Sequence, residues 1–123
     1  MIKIQWPWLA IALIFFLFMI IVGSLPGNAQ ALTEKINDKI LHFLAYSLLT
    51  VLIYLSLSTT HLRKFTLTLS IIAILAMTDE LIQSTMTFRN ASLYDLSVDI
   101  LAASLIASCL SLLPINNRKN KNS

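Results

Sequence analysis

Four long apolar runs, separated by short polar intervals, organise this chain. Residues 6–25 are almost uninterrupted hydrocarbon, with Trp6 and Trp8 near the start and Pro26-Gly27-Asn28 at the end. Further apolar runs cover about 38–57, 65–86 and 93–113, and polar intervals at 58–64 and 87–92 divide them. At a rise of about 1.5 Å per residue each run is near the length that crosses a bilayer, and the paired tryptophans suit an interfacial aromatic belt. The pattern predicts an all-α fold, a four-helix transmembrane bundle. It forms a single domain over 1–115, with Pro114 and Asn116-Asn117 closing the last helix and a disordered basic tail over 116–123.

Composition sharpens this picture. The 123 residues are 57% hydrophobic and 12% charged, with a mean hydropathy of +0.78. A soluble domain carries about a quarter charged residues, so the chain reads as an integral membrane protein whose first partner is the lipid bilayer. Ala29-Gln30-Ala31 has the small-x-small form of a signal-peptidase site. Residues 6–25 are read as a retained helix, with cleavage after Ala31 as the alternative. The lone Cys109 can make no intrachain disulfide.

Charge sets the orientation. Lys3, Arg63, Lys64, Arg118, Lys119 and Lys121 fall at one end of the spans, and Lys35, Lys39 and Arg89 at the other. The positive-inside rule then puts both termini in the cytoplasm, with the basic inner rim against anionic lipid. All six acids fall on the outer half: Glu34, Asp38, Asp79, Glu80, Asp95 and Asp99.

That topology gathers the chemistry at one depth. Asp38 opens the second helix, with Lys39 beside it and His42 and Tyr46 following at i, i+4 spacing. Asp79, Glu80 and Gln83 lie in the last two turns of the third helix, and Asp95 and Asp99 in the first two of the fourth. Arg89 occupies the connection between them. The result is a polar layer shallow enough to meet water.

Each member also has a structural reading. Ser92-Leu93-Tyr94-Asp95 matches a capping box, and Asn37-Asp38 suits a helix start. Asp79 and Glu80 are harder to explain, since they approach the negative end of a helix. Asp95 and Asp99 repel at i, i+4 unless one is protonated, paired or sharing a cation. Arg89 is the best-placed counter-ion, able to clamp an internal carboxylate or an external phosphate.

Asp38-Lys39-x-x-His42 with Tyr46, then Asp79-Glu80-x-x-Gln83, then Arg89-x-x-Ser92-x-x-Asp95, in that order on four apolar helices, resembles the VanZ-like family. Gly23-Ser24-Leu25-Pro26-Gly27 is similar to the end of that family's first helix, and the resemblance covers roughly residues 20–107. It implies a small bacterial protein of the cytoplasmic membrane, associated with lowered sensitivity to teicoplanin, and no established reaction. Three departures stand out. Asp99 takes the place of a usual asparagine, Ala102-Ala103 replaces a glycine-containing pair, and Thr87-Phe88 precedes Arg89 where proline and glycine are common. Ala103 and Ala107 still give small-x-x-x-small spacing, through which a fourth helix could form a homo-oligomer.

Two functions compete. In one, the layer is a catalytic or binding site for an envelope component such as a lipid-linked or anionic precursor. His42, Asp79, Glu80 and Asp95 would be its catalytic candidates, with His42 and Asp79 or Glu80 moving a proton. Asp38, Lys39, Tyr46, Gln83, Arg89, Ser92 and Asp99 would be its ligand-binding candidates. In the other, the layer is a structural ion network inside a non-enzymatic scaffold. No cofactor is expected; a divalent cation is chemically open, although no paired-ligand motif such as H-E-x-x-H occurs. Only Gly23 and Gly27 are present, and neither opens a phosphate loop. The short tail lacks interleaved aromatics, which argues against nucleic acid.

Overall fold

A computed structural model of the chain describes residues 2–24, 38–85 and 93–113. Four helices hold nearly all of them: α1 (Trp6–Ser24), α2 (Asp38–Ser56), α3 (His61–Ser84) and α4 (Leu93–Ser111). The class is all-α. Two residues on either side of a gap, β1 (Lys3–Ile4) and β2 (Leu57–Ser58), add a short antiparallel ribbon with Lys3 opposite Ser58 and Ile4 opposite Leu57. The Gln5 amide extends it by donating to the Ser56 carbonyl at 2.7 Å, so the start of α1 is tied to the end of α2. Nothing in the apolar periodicity announces so short a ribbon.

Helix bounds agree with the sequence reading to within one or two residues except at α3. The sequence predicts a connection over 58–64 and a helix from 65, but α3 begins at His61 and leaves only Thr59 and Thr60 after the ribbon. Thr60 is extended at the N-cap, and its carbonyl accepts the first turn's bond from the Lys64 amide at 2.9 Å. The polar residues of that turn lose nothing by becoming helical. Arg63 stays exposed, and the Lys64 ammonium lies 4.3 Å from the centre of the Tyr54 ring, a cation–π contact.

The buried stripes explain how the helices meet. α3 buries Thr68, Ile72, Ala76, Asp79 and Gln83, while α4 buries Asp95, Asp99, Ala102, Ala103 and Ala107. Steps of three and four residues keep each set on one face. On α2 the matching stripe contains His42, Tyr46, Leu49 and Ile53. Each stripe carries its ionisable or amide side chains at one end of the bundle and is otherwise apolar or small, apart from Thr68 on α3. The small end lets α4 pack against both α2 and α3. Ala103 and Ala107 are 1% and 0% exposed, so their spacing serves contacts within this chain and does not offer an open face to a second copy.

The outward surfaces are apolar. Ile14, Leu17 and Phe18 on α1, Leu48 on α2, Ile74 on α3 and Leu105 on α4 are all exposed. Hydroxyls on these helices bond to their own backbone: Ser47 donates to the Phe43 carbonyl at 2.6 Å, Thr78 to Ile74 at 2.9 Å and Ser104 to Ile100 at 2.9 Å. By length and apolarity α3 and α4 can each cross a membrane, whereas the apolar stretches of α1 and α2, Trp6–Val22 and Ile40–Ser56, are shorter.

Candidate functional site

The polar ends of α2, α3 and α4 form one cluster. Tyr46 lies one turn beyond His42 on α2, and their rings stack with centroids 6.1 Å apart and planes 11° from parallel. The Tyr46 hydroxyl donates to Asp79 Oδ2 at 3.0 Å, and Gln83 Nε2 donates to Asp79 Oδ1 at 3.1 Å from the next turn of α3. Both oxygens of that carboxylate are therefore occupied. His42 Nδ1 and Asp99 Oδ1 of α4 are hydrogen-bonded at 3.1 Å, through one proton carried by either the imidazole or the carboxyl group.

These contacts change the roles suggested by the sequence. His42 hydrogen-bonds Asp99, a residue placed only among the ligand-binding candidates. Asp79, read with Glu80 as one of two alternative proton partners of His42, is held by Tyr46 and Gln83 and ties α2 to α3. Glu80 remains close: one donor atom each from His42, Glu80 and Asp99 lie within 4.8 Å of one another. The layer is also drier than the sequence suggests. His42, Asp79, Gln83, Asp95 and Asp99 are buried, and Glu80 is half-buried. A polar residue on a helix stripe continuous with Ala103 and Ala107 must face inward, and that continuity is the signal that could have assigned Asp99 to the interior.

Asp38 and Lys39 form the first turn of α2, but their side chains lie outside the described residues, as do Arg89 and Ser92 altogether. The capping box at Ser92, the Arg89 clamp, the cleavage at Ala31 and the tail from 116 are likewise outside them.

The cluster combines two different environments. Around Asp79 the hydrogen bonding is complete, so this half positions helices. Around Asp99 it is not: Oδ1 faces His42, while Oδ2 is buried and accepts no hydrogen bond among the described residues. A carboxylate oxygen in that state is an acceptor waiting for a donor or a cation. Removing the Tyr46 hydroxyl would give Asp79 the same deficit. Tyr46→Phe is expected to cost about 1–3 kcal/mol, the penalty for stranding a buried acceptor. Thermal unfolding in detergent measures it, and unchanged stability would show that Asp79 is solvated without the tyrosine.

Comparison with known proteins finds a relative by sequence. The chain is 32% identical over 110 residues to Uncharacterized protein C11E3.10 of Schizosaccharomyces pombe (strain 972), an alignment covering 89% of this chain and 67% of the yeast protein. No family model matches the chain. No solved structure matches it either.

Proposed function

The chain belongs to the family of Uncharacterized protein C11E3.10 of fission yeast, and for this member we propose a VanZ-like integral membrane protein whose buried polar cluster binds or acts on a cell-envelope component. One observation carries the reading: the bundle buries a polar cluster at one end and is apolar outside. His42, Tyr46, Asp79, Gln83, Asp95 and Asp99 are buried, while isoleucine, leucine and phenylalanine cover the exterior. Water is a poor solvent for such an exterior and hydrocarbon a good one. Acids held inside an apolar-coated bundle are costly to keep, and in membrane helices they mark binding or proton-handling sites.

In this reading all four helices span the bacterial cytoplasmic membrane. The shorter α1 and α2 do so with local thinning or flanking residues at the interface. Both termini are cytoplasmic, and the cluster lies toward the outer face. The occupant is a lipid-linked or anionic precursor, with Arg89 and Lys39 available to its charge. Because the relative C11E3.10 is a fission-yeast protein, the activity in this reading concerns a component common to bacterial and yeast cells. Lowered teicoplanin sensitivity would be one bacterial consequence of it. The scaffold alternative draws its support from Asp79, whose fully satisfied carboxylate behaves as a structural tie. Any homo-oligomer would use an outward face of α4 and not its alanine stripe.

The test is expression in a teicoplanin-sensitive host of wild type, His42→Ala, Glu80→Gln and Arg89→Ala, with the protein quantified in carbonate-washed membranes. The expected result is a wild-type shift in sensitivity that Glu80→Gln and Arg89→Ala lose at unchanged abundance and that His42→Ala loses by more than its own fall in abundance. Loss in proportion to abundance would favour the scaffold, and recovery of the protein in the carbonate wash would overturn the membrane assignment.

A further inference from the structure

We propose that His42, Glu80 and Asp99 together hold one divalent transition-metal cation in the polar end of the bundle. The donor set is one imidazole and two carboxylates, each from a different helix. Mixed nitrogen and oxygen donors suit Zn²⁺, Mn²⁺ or Fe²⁺, whereas the absence of sulfur in the set is against Cu(I).

Distances favour a shared ion. Ligand atoms about 2.0–2.2 Å from one metal stand roughly 3–4 Å from each other. His42 Nδ1 and Asp99 Oδ1, 3.1 Å apart, already have that spacing. All three donors fall within 4.8 Å of one another, so a modest adjustment of the half-buried Glu80 side chain brings them to a common ion. Coordination through Nδ1 would displace the proton that the His42–Asp99 hydrogen bond shares between the two atoms. The same two atoms thus serve either arrangement.

A second observation is independent of that spacing. Asp99 is 0% exposed, and its Oδ2 is buried with no hydrogen-bond partner among the described residues. Polar atoms this deep are nearly always satisfied, and a carboxylate oxygen is satisfied by a cation as well as by a donor. The surrounding contacts are of the kind that fix ligands. The Tyr46 ring stacks on the His42 ring, and the Tyr46 and Gln83 bonds to Asp79 anchor the turn of α3 from which Glu80 projects. Three protein ligands leave a position for water or for a phosphate or carboxylate oxygen. The inference therefore deepens the membrane-site reading, on which it rests, by naming the group an anionic occupant would meet.

Metal analysis of the full-length chain, purified in detergent, stripped with chelator and dialysed against Zn²⁺ or Mn²⁺, tests it. About one ion per chain is expected. At limiting metal, occupancy should fall about tenfold or more in His42→Ala, Glu80→Gln and Asp99→Asn. His61→Ala and Cys109→Ser, which alter α3 and α4 at the opposite end of the bundle, should keep the ion. Because changing Asp99 can unfold the chain, a second readout uses wild type alone: pulsed electron paramagnetic resonance of bound Mn²⁺ should show coupling to an imidazole nitrogen. Wild type holding no more metal than the three variants, loss of metal in the two controls, or no imidazole coupling would each overturn the proposal. Absence of metal with a teicoplanin phenotype that still depends on His42 would reject the ion and keep the envelope site. A bound ion with no phenotype would do the reverse.

Discussion

His42→Ala is expected to destabilise the folded chain by about 3–5 kcal/mol, the usual cost of removing one partner from a buried ion pair. Asp99 lies wholly inside the bundle, and its Oδ1 depends on His42 Nδ1 at 3.1 Å. With the imidazole gone, both oxygens would be buried without a described donor. Asp99→Asn removes the charge that makes this costly, so the double variant should be clearly more stable than the sum of the two single losses. Thermal or denaturant unfolding of the four proteins in the same detergent gives the coupling directly. The measurement is made in chelator, so that a bound ion contributes nothing. A loss below about 1 kcal/mol for His42→Ala, or strict additivity in the cycle, would show that water or another group serves Asp99 in place of the histidine.

Ala107→Leu and Ala103→Leu should each cost about 1–3 kcal/mol, through overpacking. Both positions are essentially inaccessible, on the face of α4 that packs against α2 and α3. On the membrane reading proposed above, close approach across small side chains is a principal source of attraction between these helices. Three added carbons would push α4 outward and also pull Asp99 from His42. Ser108→Leu, one residue along on the exposed side, should stay within about 0.5 kcal/mol of wild type. The comparison also separates packing from association. If the alanine stripe joined two copies of the chain, leucine would dissociate the oligomer and leave monomer unfolding unchanged; here it should lower monomer stability at every protein concentration.

Both predictions concern features with different legibility. The alanine stripe and the polar ends of α2, α3 and α4 can be read from spacing, because a side chain's face and depth on a helix follow from its residue number. The start of α3 at His61 could not be read in this way. Its first turn is polar, and only the Thr60 cap and the Lys64–Tyr54 contact show that those residues belong to the helix. The ribbon of Lys3–Ile4 with Leu57–Ser58 was equally silent, since its pairing joins segments more than fifty residues apart.

By itself, then, the sequence determined an all-α chain of four helices with Asp79, Glu80, Asp95, Asp99, His42 and Tyr46 at one end, as hydrophobic periodicity and helix length are local properties. The tertiary structure decided which of those groups touch. It gave Asp79 to Tyr46 and Gln83, and His42 to Asp99, and it buried a layer that the sequence left near water. The physical reason is that periodicity fixes the direction of a side chain around its own helix axis, but not the rotation and separation of one helix against another. Those are set by how Ala102, Ala103 and Ala107 let α4 settle between its neighbours, a property of three packed surfaces together.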